Sequence, residues 1–574
     1  MTRRAGAPAL VAALVLGLTS CSIVPTSSPT VPITQAPARP VQDVGVPALP
    51  PARDATPEEV VRGFIDAAAS SAPGRPVAKE YLTPEAAAAW SDAGAITIIS
   101  SGYATVASES GSVEVTAGRV GTIDERGIFT VAGTDVFSYD FPLVEVDGEW
   151  RISDPPDGLV ILETDFQRLF DPVEAYFLDP TMQRLVPDPR YLIGGEAQPT
   201  ALVNRLIEGP SAALALGVRN PLAGARLART VVVEDQVARV DLTGLDIDAN
   251  TPLRELSAQL VWSLTGLDGQ RIRSVVITLD GEPLPLDDVP VEQTTDDWPA
   301  FDPDATPLET VGHYLDDGAL HTADDGAPAP GPAGTGRYGL ASAAVSADVR
   351  NGELTFLAGV RPEPGGATLL AGPYGGELAP VLSGATLSAP TVAATRPEVW
   401  VVRDGTDVVR VPAGGTPQAV SAPTLAGLGR AEVIELSPDG TRLAVVVDGP
   451  LGRRLHVGTV VRSEEGGVAI RDLPGVAPTL SPVVDVAWRS NGQLWVLAGD
   501  PGEETPYSLG VDGWGLAALG TSGLPDEPTS LGAAPGRDPL VVAGNRLWQW
   551  SRGTWRTLLR GQEPLTGSAP FYPL

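Results

Sequence analysis

Residues 434–449 read IELSPDGTRLAVVVDG: an alternating strand, a tight Ser-Pro-Asp-Gly turn, then an apolar run, LAVVV, at 443–447. A strand with one wet face alternates apolar and polar residues, so an unbroken run needs neighbours on both faces. The plan recurs as AAVSADVRNGELTFLAG (343–359), ATLSAPTVAATRPEVWVVRDG (385–405), DVAWRSNGQLWVLAGD (485–500) and TSLGAAPGRDPLVVAGNRLWQW (529–550). Anchored on Ser346, Ser388, Ser437, Arg489 and Ala533, the units lie 42, 49, 52 and 44 residues apart. A period of 40–50 residues with several short strands per unit is the signature of a β-propeller, whose blades cover one another around a ring. Five units are visible over 338–574, and a degenerate sixth is open to completion by the segment before them. The expectation is five to six blades.

That preceding segment, 291–337, is rich in Asp, Pro, Gly and Ala and reads as an acidic linker or as a strap on the propeller. Upstream, 166–290 reads as a second folded unit. EAYFLDPTMQRLVPDPRYL (174–192) gives two strands, and PTALVNRLIEGPSA (199–212) a helix closed by Gly209-Pro210. RTVVVEDQVARVDLTG (229–244) is a hairpin turning at Asp235 and Gln236. TPLRELSAQLVWSLTGL (251–267) is a helix capped by Thr251, and RSVVITLDGEPLPL (273–286) a closing pair of strands. The order of these pieces resembles the GerMN domain of sporulation and germination proteins, a resemblance that brings no catalytic residue with it.

Residues 54–165 form a third unit. Thr56-Pro57-Glu58-Glu59 is a capping box with proline in the first turn. Val60, Val61, Phe64, Ile65 and Ala68 then share one helical face over 57–69. A second helix starts at Thr83, and strands fill 95–161 with a hairpin turn at Asp147-Gly148. Two helices before a curved antiparallel sheet resemble the cone of nuclear transport factor two-like domains. The whole chain is thus read as multidomain α+β and all-β: a cone-like N-terminal α+β domain, a GerMN α+β domain and a C-terminal β-propeller.

The N-terminus has its own logic. Arg3 and Arg4 precede APALVAALVLGL (7–18), a run of 12 residues, well short of the ~20 needed to span a bilayer. Leu18-Thr19-Ser20-Cys21 resembles a bacterial lipobox, and Cys21 is the single cysteine of 574 residues. A thiol behind small residues suits cleavage just before it and thioether attachment of diacylglycerol. Residues 1–20 therefore read as a lipoprotein signal peptide. Residues 21–53, Pro-, Ser-, Thr- and Ala-rich, read as lipidated cysteine and tether. The expected location is the extracytoplasmic face of the cell membrane.

The chemistry that remains is sparse. A net charge of −32 disfavours nucleic acid as a partner, because phosphate binding needs clustered cations. Gly334, Gly336 and Gly339 match GxGxxG but follow no strand and open no helix, so a dinucleotide site is not expected. Asp246, Asp248 and Asn250 begin a calcium-loop spacing, but the twelfth position is Ser257. The three histidines, His313, His321 and His456, do not pair with one another or with Cys21. Neither a metal, a cofactor nor an enzyme is expected. Trp488, Trp495, Trp514, Trp548, Trp550 and Trp555 crowd the last units, as blade cores or as sugar platforms.

Lipobox, tether, cone-like domain, GerMN domain and propeller, in that order, resemble the LpqB family of lipoproteins of high-GC Gram-positive bacteria. The resemblance implies a non-enzymatic accessory of the MtrAB two-component system that contacts the extracytoplasmic part of the sensor kinase MtrB and influences envelope homeostasis and cell division. The alternative is a cell-wall glycan-binding or peptidoglycan-processing lipoprotein with paired carboxylates in a propeller cleft.

Overall fold

Alternate residues of the run 443–447 face different neighbours. Leu443, Val445 and Val447 pack with Trp400, Val402 and Val408 of the blade before. Ala444 and Val446 pack with Val486, Trp488 and Val496 of the blade after. The computed structural model describes residues 48–108, 111–248, 250–306, 311–348, 351–559 and 563–574. Cys21, the signal peptide and nearly all of the tether lie outside the described residues.

Five consecutive four-stranded antiparallel sheets span 342–384, 391–419, 430–471, 483–518 and 528–556. A sixth blade has three strands drawn from both ends of the ring. Its innermost strand is Ser568–Phe571, which pairs with His313–Asp316, and that strand pairs with Ala319–Thr322. The innermost strands of successive blades touch around the ring, and Ser568–Phe571 contacts the innermost strands of both the fifth and the first. The Leu574 amide donates to the Val345 carbonyl at 3.1 Å, and the Ala347 amide to Leu574 at 2.8 Å. Late and early sequence thus close one circle and leave no free innermost edge.

The ring therefore begins before the expected 338, and 291–337 is neither a free linker nor a simple strap. Glu292–Gln293 joins the sheet of the second unit, and Trp298 is buried in that unit's core. There the Gln293 amide oxygen accepts from Ser257 Oγ at 2.7 Å and from Trp298 Nε1 at 3.0 Å. Further on, Ala329, Ala333, Tyr338 and Leu340 pack into the first blade. The GxGxxG stretch is a turn of this packing: a Cβ on Gly334 would lie 1.8 Å from the Ala329 carbonyl oxygen. It leads into the strand Ser342–Ala347.

In the second unit, Phe170–Leu178 and Leu185–Ile193 make a two-stranded ribbon apart from the main sheet. In the sheet, Val237–Thr243 runs parallel to Ser274–Leu279. The helices Gln198–Glu208 and Leu253–Thr265 cover it, and Gly209 ends the first with φ +99°. Thr251 does not cap the second helix: Pro252 holds that position, and Thr251 Oγ1 accepts instead from the Asp248 amide. In the first unit, Pro57–Ala68 carries the expected capping box and buries Val60, Val61, Phe64 and Ile65 against a seven-stranded sheet. Asp147 and Gly148 both take positive φ at their hairpin.

Candidate functional site

The described residues from 48 onward belong to one compact unit, and its three modules meet at a junction. An aromatic cluster marks it. Phe129 comes from the N-terminal module, Phe166 from the helix Glu163–Leu169, which crosses the expected boundary at 165 and packs into that module's core, Tyr191 from the ribbon and Trp514 from the fourth blade. Trp514 lies edge-on to Phe166 at 4.7 Å, to Phe129 at 5.1 Å and to Tyr191 at 5.8 Å between ring centroids. The turn presenting Trp514 is built for this. Asp512 accepts from the Trp514 amide at 3.0 Å, the Gly510 amide donates to the Trp514 carbonyl at 2.8 Å, and Gly513 takes φ +90°.

Backbone contacts bind the N-terminal module to the ribbon. The Tyr191 amide donates to the Gly127 carbonyl at 2.8 Å, and beyond the ribbon the Arg126 side chain donates from Nη2 to the Gly209 carbonyl, at the end of the helix Gln198–Glu208, at 2.5 Å. Gly127 has φ +77°, and a Cβ there would sit 3.0 Å from the Tyr191 carbonyl oxygen. That close approach admits only glycine without strain.

Polar contacts bind the ribbon to the propeller. The Ser437–Arg442 turn of the third blade is buried. Asp439 accepts from the Thr441 amide and hydroxyl at 2.8 and 2.7 Å, and from Ser437 Oγ at 2.5 Å. Arg442 Nη2 donates to the Pro187 carbonyl at 2.6 Å. In the fourth blade the corresponding turn brings Asn491, whose side chain accepts from the Asp439 amide at 2.9 Å and donates to the Pro303 carbonyl. Tyr191 Oη donates to Asp512 at 2.8 Å.

Among these groups sits Glu174, half-buried beneath the Gly492 turn. A Cβ on Gly492 would lie 2.9 Å from Glu174 Oε1, and Oε2 is buried without a hydrogen-bond partner. Burial, reinforced by Asp512, raises the Glu174 carboxyl to about 7. Burial likewise raises Asp304 to about 6.

The sequence-singled residues land elsewhere. His313 is buried between blades, with Nε2 2.9 Å from Tyr374 Oη and its ring stacked on Phe571. Burial pushes its imidazole down to about 4. His321 Nδ1 pairs with the Gly326 carbonyl and His456 Nδ1 with that of Leu473. Trp488 and Trp555 are buried in the ring, their indole N–H groups donating to the Glu435 and Gly520 carbonyls. Among the described residues no group of three or more His, Cys, Asp or Glu is placed to hold a metal ion. A cleft of about 360 Å³ between the fifth and sixth blades does gather Asp324, Arg537, Asp538 and Gln549.

The junction was not foreseen from the sequence. A signal was present: blades three and four carry Ser-Pro-Asp-Gly and Ser-Asn-Gly at equivalent turns, and the side chains of Asp439 and Asn491 made those turns adhesive rather than merely tight.

Fold and junction together define a propeller protein with two α+β modules fixed against its ring. A family model described as the N-terminal domain of lipoprotein LpqB matches residues 50–167, one for sporulation and spore germination matches 174–285, and one for the lipoprotein LpqB beta-propeller domain matches 318–573. A relative named Lipoprotein LpqB from Mycolicibacterium smegmatis is 32% identical, covering 88% of this chain and 88% of its own. Another of that name, from Cutibacterium acnes, is 30% identical over 98% of this chain and 99% of its own. The chain belongs to the LpqB family of lipoproteins. Among solved structures, the tandem GerMN domains of the sporulation protein GerM from Bacillus subtilis align with 27% of this chain and 58% of theirs, at 18% identity and a TM-score of 0.19. Among the described residues no helix is long and apolar enough to cross a membrane.

Proposed function

We propose that the protein is held on the extracytoplasmic face of the cell membrane by lipid on Cys21 and acts without catalysis, as an interaction accessory modulating the sensor kinase MtrB of the MtrAB system. Family membership supports the lipoprotein part. The observation that carries the accessory part is where the perturbed acids lie. Glu174 lies half-buried in the junction with its Oε2 sealed from water, and Glu435 and Asp485 lie half-buried between blades, each bonded to the neighbouring blade, so the groups best tuned for proton transfer hold modules together instead of facing a substrate. A scaffold of fixed shape presents a partner with a preformed surface, which lowers the ordering cost of association.

The test is crosslinking and pull-down from membranes with the anchored full-length chain. Recovery of the MtrB extracytoplasmic domain is expected; repeated recovery of cell-wall enzymes alone would overturn this partner. Cys21→Ala is expected to move the protein from the membrane to the soluble fraction with its melting profile unchanged, and a membrane-bound, acylated variant would refute the anchor.

The cleft holding Asp324 and Asp538 supports a second reading, glycan binding or processing. Co-sedimentation with purified peptidoglycan and release of muropeptides would support it, and neither occurring would remove it.

A further inference from the structure

The contact between the ribbon and the propeller is made across a buried carboxylate that no base neutralises. Glu174 projects from the strand Phe170–Leu178 onto the Gly492 turn, opposite Pro189 of the other ribbon strand. Each element packed around it brings charge. The ribbon contributes Asp188, which Arg190 already holds at 2.9 Å, and the hydroxyl of Tyr176. The fourth blade contributes Asp512, occupied by Tyr191. The segment leaving the second module contributes Asp302 and Asp304. The third blade contributes Arg442, the cation whose charge favours Glu174 ionisation. Arg442 makes no ion pair with Glu174; its Nη2 is on the Pro187 carbonyl, and Nη1 is buried without a partner. An ionised Glu174 would thus keep Oε2 sealed from water among other acids, with one guanidinium that makes no ion pair with it for relief. Such a charge is expensive to enclose, and opening the contact would hydrate it.

We propose that the ribbon-to-propeller contact is a proton-dependent latch, closed while Glu174 carries its proton and loosened when it ionises. The reading is independent of the kinase partner, since it concerns only contacts within the chain. Glu174 binds protons more tightly in the closed state than in the open, where it regains the ordinary carboxyl range. The closed state therefore holds more protons between about pH 4.5 and 7, and closure weakens as pH rises through that window and then levels off. Asp512, also raised by burial, acts in the same sense.

Hydrogen exchange of the full chain in detergent tests this, with each amide corrected for its intrinsic rate at each pH. Peptides covering 185–193 report the latch and peptides covering 443–447 the ring. Relative to the ring, opening of the ribbon should increase roughly tenfold from pH 6 to 8.5, the population change that the linkage gives for a carboxyl moving from about 7 to its ordinary range. Glu174→Gln, which keeps shape and removes ionisation, should abolish most of that increase. Tyr191→Phe should raise opening at both pH values while preserving the roughly tenfold ratio. The latch is refuted if ribbon and ring peptides respond alike to pH, or if Glu174→Gln retains the full dependence. Should Glu174→Gln fail to fold, Tyr191→Phe decides: an unchanged opening at both pH values refutes the latch.

Discussion

Single side chains in this protein act mostly as fasteners between parts that the chain order keeps far apart. Trp514 is the clearest, since its indole reaches rings from both other modules. Trp514→Ala should destabilise the folded unit by about 3 kcal/mol, the size of an aromatic truncation in a packed site, read from denaturant midpoints. Fluorescence alone would mislead, because ten other tryptophans report elsewhere. Between blades the fasteners are acids. Glu435 accepts from Thr391 Oγ1 of the second blade at 2.8 Å, and Asp485 accepts from the Leu531 amide of the fifth at 2.8 Å. Burial raises Glu435 to about 8. The native state thus holds the extra proton between about pH 4.5 and 8, and stability falls as pH climbs across that range. Glu435→Gln should leave stability almost unchanged near pH 4.5 and raise it progressively up to about pH 8, flattening that part of the melting-temperature profile. A variant curve parallel to that of the parent would contradict the assignment. None of this was legible beforehand, because hydrophobic patterning ranks Glu435 and Asp485 as surface residues.

Strands and turns divide between those that local sequence specifies and those that need a distant partner. The capping box at Thr56, the Asp147-Gly148 hairpin and the apolar run 443–447 are local, and each formed where its residues require. Ser568–Phe571 is different: four residues, Ser-Ala-Pro-Phe, have no pattern that marks an innermost propeller strand. Its place is set by His313–Asp316 on one side and by the first blade on the other. Deleting residues 568–574 should uncover the edges of both neighbours and remove the buried Tyr572 and Leu574. A loss of about 4 kcal/mol is expected from those two large side chains and the backbone pairing, with aggregation following from the bared strand edges. Melting temperature and light scattering check it, and an unaltered melt would mean the ring does not depend on this closure. Thr251 shows the converse error: a Thr-Pro pair before an apolar helix looks like a cap, yet its hydroxyl is taken up by Asp248, whose side chain also accepts from the Asn250 amide in an Asx-type turn.

For the molecule as a whole, the modules named by sequence are not independent bodies. Aromatic packing at Trp514, the Gly127–Tyr191 backbone bond and the Arg442–Pro187 contact join all three. Calorimetry of the folded unit should show one dominant transition instead of three, and well-separated transitions would refute the interlock. The sequence by itself determined the repeat and the two α+β modules, because periodicity, caps and turns are written over a few adjacent residues. Only the tertiary structure decided that residues 313–322 and 568–571 share a sixth blade, that Trp298 belongs to the second module's core, and that Glu174, Asp439 and Asn491 are brought together. The physical reason is range. Those placements depend on groups hundreds of residues apart meeting away from water, and a polar residue carries no local mark of the partner that will bury it.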